Sequence, residues 1–167
     1  MSVTAEHSSA AISTGTAASA WVLEVADDIR VAISQHEMNH IDESSNLIKI
    51  PKSPAWCDHV ILWKSQIVPV MDFVKTDEPE GLSKDKSENS IMVAIVRLFD
   101  DSEQKITYGA IRILKPPVLE KISNEQASTK QEIDEKWNNI SISAFKYKQN
   151  VVPVLDVKSL FGGSLER

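Results

Sequence analysis

His36-Glu37-Met38-Asn39-His40 spells H-E-x-x-H. On a helix, that spacing sets two imidazoles on one face to hold zinc, with the glutamate as general base of a hydrolase. The apolar residue after the glutamate suits such a helix. Two features count against it. Asp42 stands where those helices are normally apolar, and the preceding Ile29 to Ile33 (IRVAI) is strand-like. No acidic residue further on is singled out by spacing as a third ligand. Solvated surface histidines are the competing reading, and a small zinc-dependent hydrolase stays open as an alternative function.

Two other sets of residues could do chemistry. Cys57 is the single cysteine, follows Trp56, and has only His59 as a basic neighbour. A packed, unreactive thiol is expected rather than a nucleophile. Asp72 and Asp156 occupy matching places in two similar segments and could be read as paired carboxylates. The simpler reading is that each caps the turn or helix that follows its strand. The chain has five glycines and no glycine-rich phosphate loop. We therefore expect no catalytic residue, no cofactor and no resident metal.

The two aspartates belong to a repeated phrase. Gln66 to Phe73 reads QIVPVMDF and Asn150 to Val157 reads NVVPVLDV. Two copies of one phrase imply two copies of one structural unit. Proline donates no ladder hydrogen bond, so Pro69 and Pro153 mark equivalent edges or bulges. Strands surround them: Trp21 to Val25 and Ile29 to Ile33 as a hairpin across Asp27-Asp28, then Leu47 to Ile50, Val60 to Trp63 and Ile67 to Phe73. Ile91 to Phe99 is the most apolar run and reads as a central strand. A polar turn joins it to Ile106 to Leu114. Ile140 to Tyr147 alternates with period two. Ser53 is expected to cap a brief helical turn with Pro54 at its first position. Ser123 to Lys136 reads as a short helix or loop. Lys158 to Phe161 reads as a short helix ended by Gly162-Gly163.

Composition sets further bounds. The chain has 167 residues, 42% of them hydrophobic, and a net charge of -6. An acidic balance argues against nucleic acid as a partner. No apolar run is long enough to cross a membrane as a helix. One cysteine fits a reducing, cytoplasmic setting. Residues 1–19 lack the basic start and apolar run of a signal peptide and read as a disordered leader. Residues 75–90 read as a long acidic surface loop, 20–161 as the folded unit, and 162–167 as a tail.

The same residues resemble the CheW domain of bacterial chemosensory systems. The likeness rests on Lys49 to Trp56 (KIPKSPAW), Val60 to Phe73 (VILWKSQIVPVMDF), Ile91 to Phe99, Ile106 to Leu114 and Val151 to Phe161 (VVPVLDVKSLF). It implies an all-β fold of two small five-stranded antiparallel barrels packed as a pseudo-symmetric pair. It also implies a non-catalytic adaptor that joins the cytoplasmic tips of chemoreceptors to a CheA-type histidine kinase. In that family the receptor hairpin meets the groove between the barrels and the kinase packs against a barrel end. The family's arginine-glycine turn is Lys64-Ser65 here, which keeps a charge but loses the planar fork. His40 falls where the family has an acidic residue, with Met38 as its apolar neighbour. Met38, His40, Trp63 and Lys64 are therefore the expected protein contacts, and a pathway controlling type IV pilus twitching is a reasonable setting.

Overall fold

The computed structural model describes residues 17–43, 46–73 and 91–162. Twelve strands and two short α-helices are present among them. β1 (Ala18–Ala26) and β2 (Ile29–Ser34) form the first hairpin, and Asp28 takes a left-handed φ of 60° in its turn. β3 (Met38–Asp42), β4 (Ile48–Lys49), β5 (His59–Trp63), β6 (Gln66–Met71), β7 (Met92–Asp100) and β8 (Lys105–Ile113) follow. Then come β9 (Val118–Ile122), β10 (Ala127–Ser128), α1 (Glu135–Asn138), β11 (Ser141–Tyr147), β12 (Asn150–Leu155) and α2 (Val157–Phe161).

The strands make two six-stranded sheets, ordered β10-β11-β12-β2-β1-β9 and β4-β5-β6-β8-β7-β3. The two orders are the same plan. Each proline-bearing strand, β12 or β6, is paired antiparallel with the strand before it. Each is parallel to one strand of a second hairpin, β12 with β2 and β6 with β8. Pro153 lies opposite Ala144 and Pro69 opposite Val60. The repeat is thus real, but its halves are permuted. The second sheet is built from a continuous stretch, while the first joins the N-terminal hairpin to the C-terminal strands. The all-β, pseudo-symmetric pair expected from the sequence is present. Each half carries six strands rather than five, including one two-residue strand, and one parallel pair among its antiparallel ladders.

Three apolar clusters explain which strands read as apolar throughout. Ile61, Val68, Val70, Val93, Ile95 and Ala110 form the interior of the second sheet. Ala20, Val22, Ala32, Phe145 and Val152 do the same for the first. The largest cluster lies between the sheets and takes Leu23, Val25, Val31 and Leu155 from one and Met71, Ala94, Val96 and Ile111 from the other. β7 therefore buries both faces, Val93 and Ile95 inward and Ala94 and Val96 toward the partner sheet. That is why its sequence does not alternate. α2 crosses between the halves, and Gly109 of β8 lets Phe161 close on it. A Cβ at Gly109 would stand 2.6 Å from the Phe161 ring.

Several local expectations change. β1 starts at Ala18, inside the segment expected as leader, while residues 1–16 lie outside the described residues. The expected loop at 75–90 and the tail from 163 also lie outside them. The helical turn is a 3₁₀ turn at Ala55–Cys57, with Pro54 at its N-cap and no side-chain cap. Ser53 Oγ instead donates to the Ile50 carbonyl at 2.7 Å. The stretch read as helix or loop holds two 3₁₀ turns, β10 and the start of α1. β9, missed altogether, pairs with β1 from Ala18↔Ile122 to Val22↔Val118.

Candidate partner-binding surface

Three of the four expected contact residues come together. β5 ends at Trp63 and β6 begins opposite it at Gln66, leaving Lys64 and Ser65 as a two-residue turn. Both take left-handed φ, 46° and 63°, which matches the twist of a tight hairpin. The turn lifts Lys64 Nζ to 5.5 Å from the Trp63 ring. His40 of β3 stacks on the indole, with centroids 4.7 Å apart at 27°. Trp63 is half-buried and roofs the interior of the second sheet. Its Nε1 is buried without a hydrogen-bond partner among the described residues. Met38 goes elsewhere. A register shift between Met38 and His40 in the β3–β7 ladder separates them, and Met38 packs on the cluster between the sheets.

The H-E-x-x-H spacing does not produce a helix. Gln35 to Glu37 form a turn and Met38 begins β3. Glu37 Oε2 accepts from the Ser34 amide at 3.0 Å, and Arg97 Nε donates to the His36 carbonyl at 2.7 Å. Partial burial pushes the Glu37 carboxyl above its usual range, opposed by the Ser34 hydrogen bond. His40 is spent on Trp63. No group of three potential ligands gathers among the described residues. The motif is a β-turn running into an edge strand, so the geometry that its zinc chemistry requires is missing.

The paired aspartates hold structure. Asp156 caps α2: its Oδ1 accepts from the Ser159 amide at 3.1 Å and its Oδ2 from the Ser159 hydroxyl at 2.6 Å. The hydroxyl bond, with the amides of Ser159 and Lys158, holds its carboxyl below the usual range against the cost of burial. Asp72, buried at the equivalent place, accepts from Arg112 Nη1 at 2.8 Å. Cys57 is half-buried, and desolvation followed by the Asp58 charge pushes its thiol up. A raised thiol is a poor nucleophile.

An exposed apolar stripe runs beside the Trp63 turn. Cross-strand register puts Ile48, Val60, Leu62, Ile67 and Pro69 on one face of β4-β5-β6. Ile48, Leu62 and Ile67 are 56%, 67% and 76% exposed. On the equivalent face of the first sheet Ala144 and Pro153 are buried near Trp137 and Ile133, and the place of Leu62 is taken by the exposed Lys146. The sequence shows these residues as apolar; it does not show that Ile48, Leu62 and Ile67 stand exposed. A second concavity, of about 420 Å³, lies where the β2–β3 turn meets β7, β8 and α2. Phe99 and Ile106 pair across its floor, and Arg97 and Lys158 flank it.

No family model and no curated protein matches this sequence. Among solved structures, the chain is similar to scaffolding protein TtCheW from Thermoanaerobacter tengcongensis. The TM-score is 0.63 at 14% identity, over 84% of this chain and 90% of the other. The chain has a CheW-like fold. In this CheW-like frame, the permuted pair of sheets, the Trp63–Lys64 turn and the apolar stripe are three features of one scaffold. No helix among the described residues is long and apolar enough to cross a membrane.

Proposed function

We propose that this protein is a non-catalytic adaptor of a bacterial chemosensory system, coupling chemoreceptor cytoplasmic tips to a CheA-type histidine kinase in the cytoplasm. The observation that carries this reading is the uncovered apolar stripe of Ile48, Leu62 and Ile67 on a CheW-like scaffold. Large apolar side chains set side by side in solvent mark a protein contact surface. The stripe suits the kinase, whose own CheW-like regulatory domain offers a matching β-sheet surface. The cleft floored by Phe99 and Ile106 suits the receptor's helical hairpin, since it lies between the two halves and is flanked by Arg97 and Lys158. His40, Trp63 and Lys64 form a second contact beside the stripe.

The lysine and histidine at the turn, in place of the family's arginine and acidic residue, favour a divergent partner. A pathway controlling type IV pilus twitching fits that divergence. Pulldown from the native cell tests the reading. A histidine kinase should be captured by the intact chain and lost with Leu62→Asp. Capture without any kinase, repeated at low salt, would contradict it.

A further inference from the structure

Three arginines lie among the described residues, and two of them are spent within the chain. Arg30 pairs with Glu24 at 3.4 Å and Arg112 with Asp72 at 2.8 Å. Arg97 meets no carboxylate among the described residues. Its side chain is held all the same. Nε donates to the His36 carbonyl at 2.7 Å, and the Arg97 amide donates to the Glu37 carbonyl at 2.9 Å. Those bonds fix the guanidinium at the β2–β3 turn and leave its two terminal nitrogens without a partner among the described residues.

Arg97 lines the cleft of about 420 Å³. The other charged side chains there are committed. Lys158 pairs with Asp101 at 3.2 Å, and Glu37 Oε2 turns back to the Ser34 amide at 3.0 Å. The β7–β8 ladder sets Arg97 opposite Tyr108 and Phe99 opposite Ile106, so strand alternation puts Arg97, Phe99 and Ile106 on one face. Arg97 and Phe99 are two residues apart, or roughly 6.5–7 Å along the strand. A segment that closes on the exposed Phe99 and Ile106 therefore covers the guanidinium as well. Apolar atoms alone would strip its water and supply no counter-charge. We propose that Arg97 is a specificity-determining contact of this cleft, and that its two terminal nitrogens bind a carboxylate carried by the helical partner. This rests on the assignment of the cleft to the receptor hairpin. Four residues of helix rise about 6 Å, so the carboxylate belongs one turn from the apolar side chain that covers Phe99 and Ile106. The planar fork that the Lys64 turn lacks is thereby supplied from β7.

The test titrates the full chain with the soluble cytoplasmic hairpin of the cognate receptor by calorimetry. Arg97→Gln should raise Kd about ten- to a hundredfold. Arg97→Lys keeps the charge without the fork, and should raise Kd by at least about threefold. It gives the same readout if Arg97→Gln does not fold. Replacing each glutamate and aspartate of the hairpin by its amide should expose one position whose loss no longer adds to that of Arg97→Gln. An arginine that only ties down the β2–β3 turn would lower Tm and couple to no such position. Phe99→Ala reads the cleft itself and should also weaken binding. Binding lost with Phe99→Ala yet unchanged by both Arg97 variants, or Arg97 effects coupled to no carboxylate of the hairpin, would overturn this contact and leave the receptor assignment standing. Binding unchanged by Phe99→Ala, or absent with the intact chain, would overturn both.

Discussion

Truncating the cross-strand pair Leu62 and Ile67 separates binding from folding. Fully burying a leucine or isoleucine side chain contributes about 1.5–3 kcal/mol. Leu62 and Ile67 are 67% and 76% exposed, so most of that term is still available to a partner. Each alanine should therefore cost about 1–2 kcal/mol of affinity for the kinase regulatory domain, or about five- to thirty-fold in Kd. The two are directly opposite one another, so the double variant should fall short of the sum. Neither belongs to a buried cluster, and surface changes of this kind shift stability by about 0.5 kcal/mol or less. Calorimetric titration and thermal unfolding, run on the same preparations, read both quantities. An unchanged Kd with an unchanged melting temperature would refute the stripe as a contact. A fall of several degrees in Tm would show that it supports the fold instead.

Three further outcomes are expected. Lys64→Glu reverses a charge on an exposed turn, and should weaken receptor coupling in a sedimentation assay while leaving the unfolding curve in place. Gly109→Ala places a Cβ 2.6 Å from the Phe161 ring and should cost about 1–3 kcal/mol. Phe161→Ala should remove that penalty in a double-mutant cycle by denaturant unfolding. Ser159→Ala removes the main support of the depressed Asp156 carboxyl. A depressed folded value contributes stability above the unfolded value of 3.8 and loses it as pH falls through the folded value. The stability gap between wild type and Ser159→Ala should thus be full at neutral pH and close below about pH 4, as followed by Tm against pH.

The sequence was legible wherever burial forces a pattern. β7 could be read from Ile91 to Phe99 because both of its faces are buried. β11 could be read because Ser141 to Tyr147 lies half in solvent. The two prolines marked the equivalent strands because each unit places one at the same register. What stayed hidden lacks such a constraint. β9 follows Pro116-Pro117 with Val-Leu-Glu-Lys-Ile, a largely exposed edge strand whose polarity resembles a loop. β3 was masked by its histidines, which are spaced as on a helix but lie across a turn and a bulge. The permutation of the halves leaves no local trace, since the first sheet is closed by strands from opposite ends of the chain.

The placement of the expected contact residues was legible only in part. His40, Trp63 and Lys64 converge because the sheet curls to bring its β3 edge up to β5, near its other edge. Met38 departs because the register shift in the β3–β7 ladder sends it to the other face, and a bulge of that kind has no signature in five residues. The stripe was invisible for a different reason. Leu62 and Ile67 look like core residues until their exposure in the folded sheet is known.

Co-sedimentation with receptor-bearing vesicles tests the adaptor role most directly, using the cognate histidine kinase with and without this chain. A bridging scaffold requires the kinase to pellet with the receptor only when the chain is added, and to stay in solution when the Leu62→Asp variant replaces it. Equal kinase in the pellet whether or not the chain is present would contradict the account.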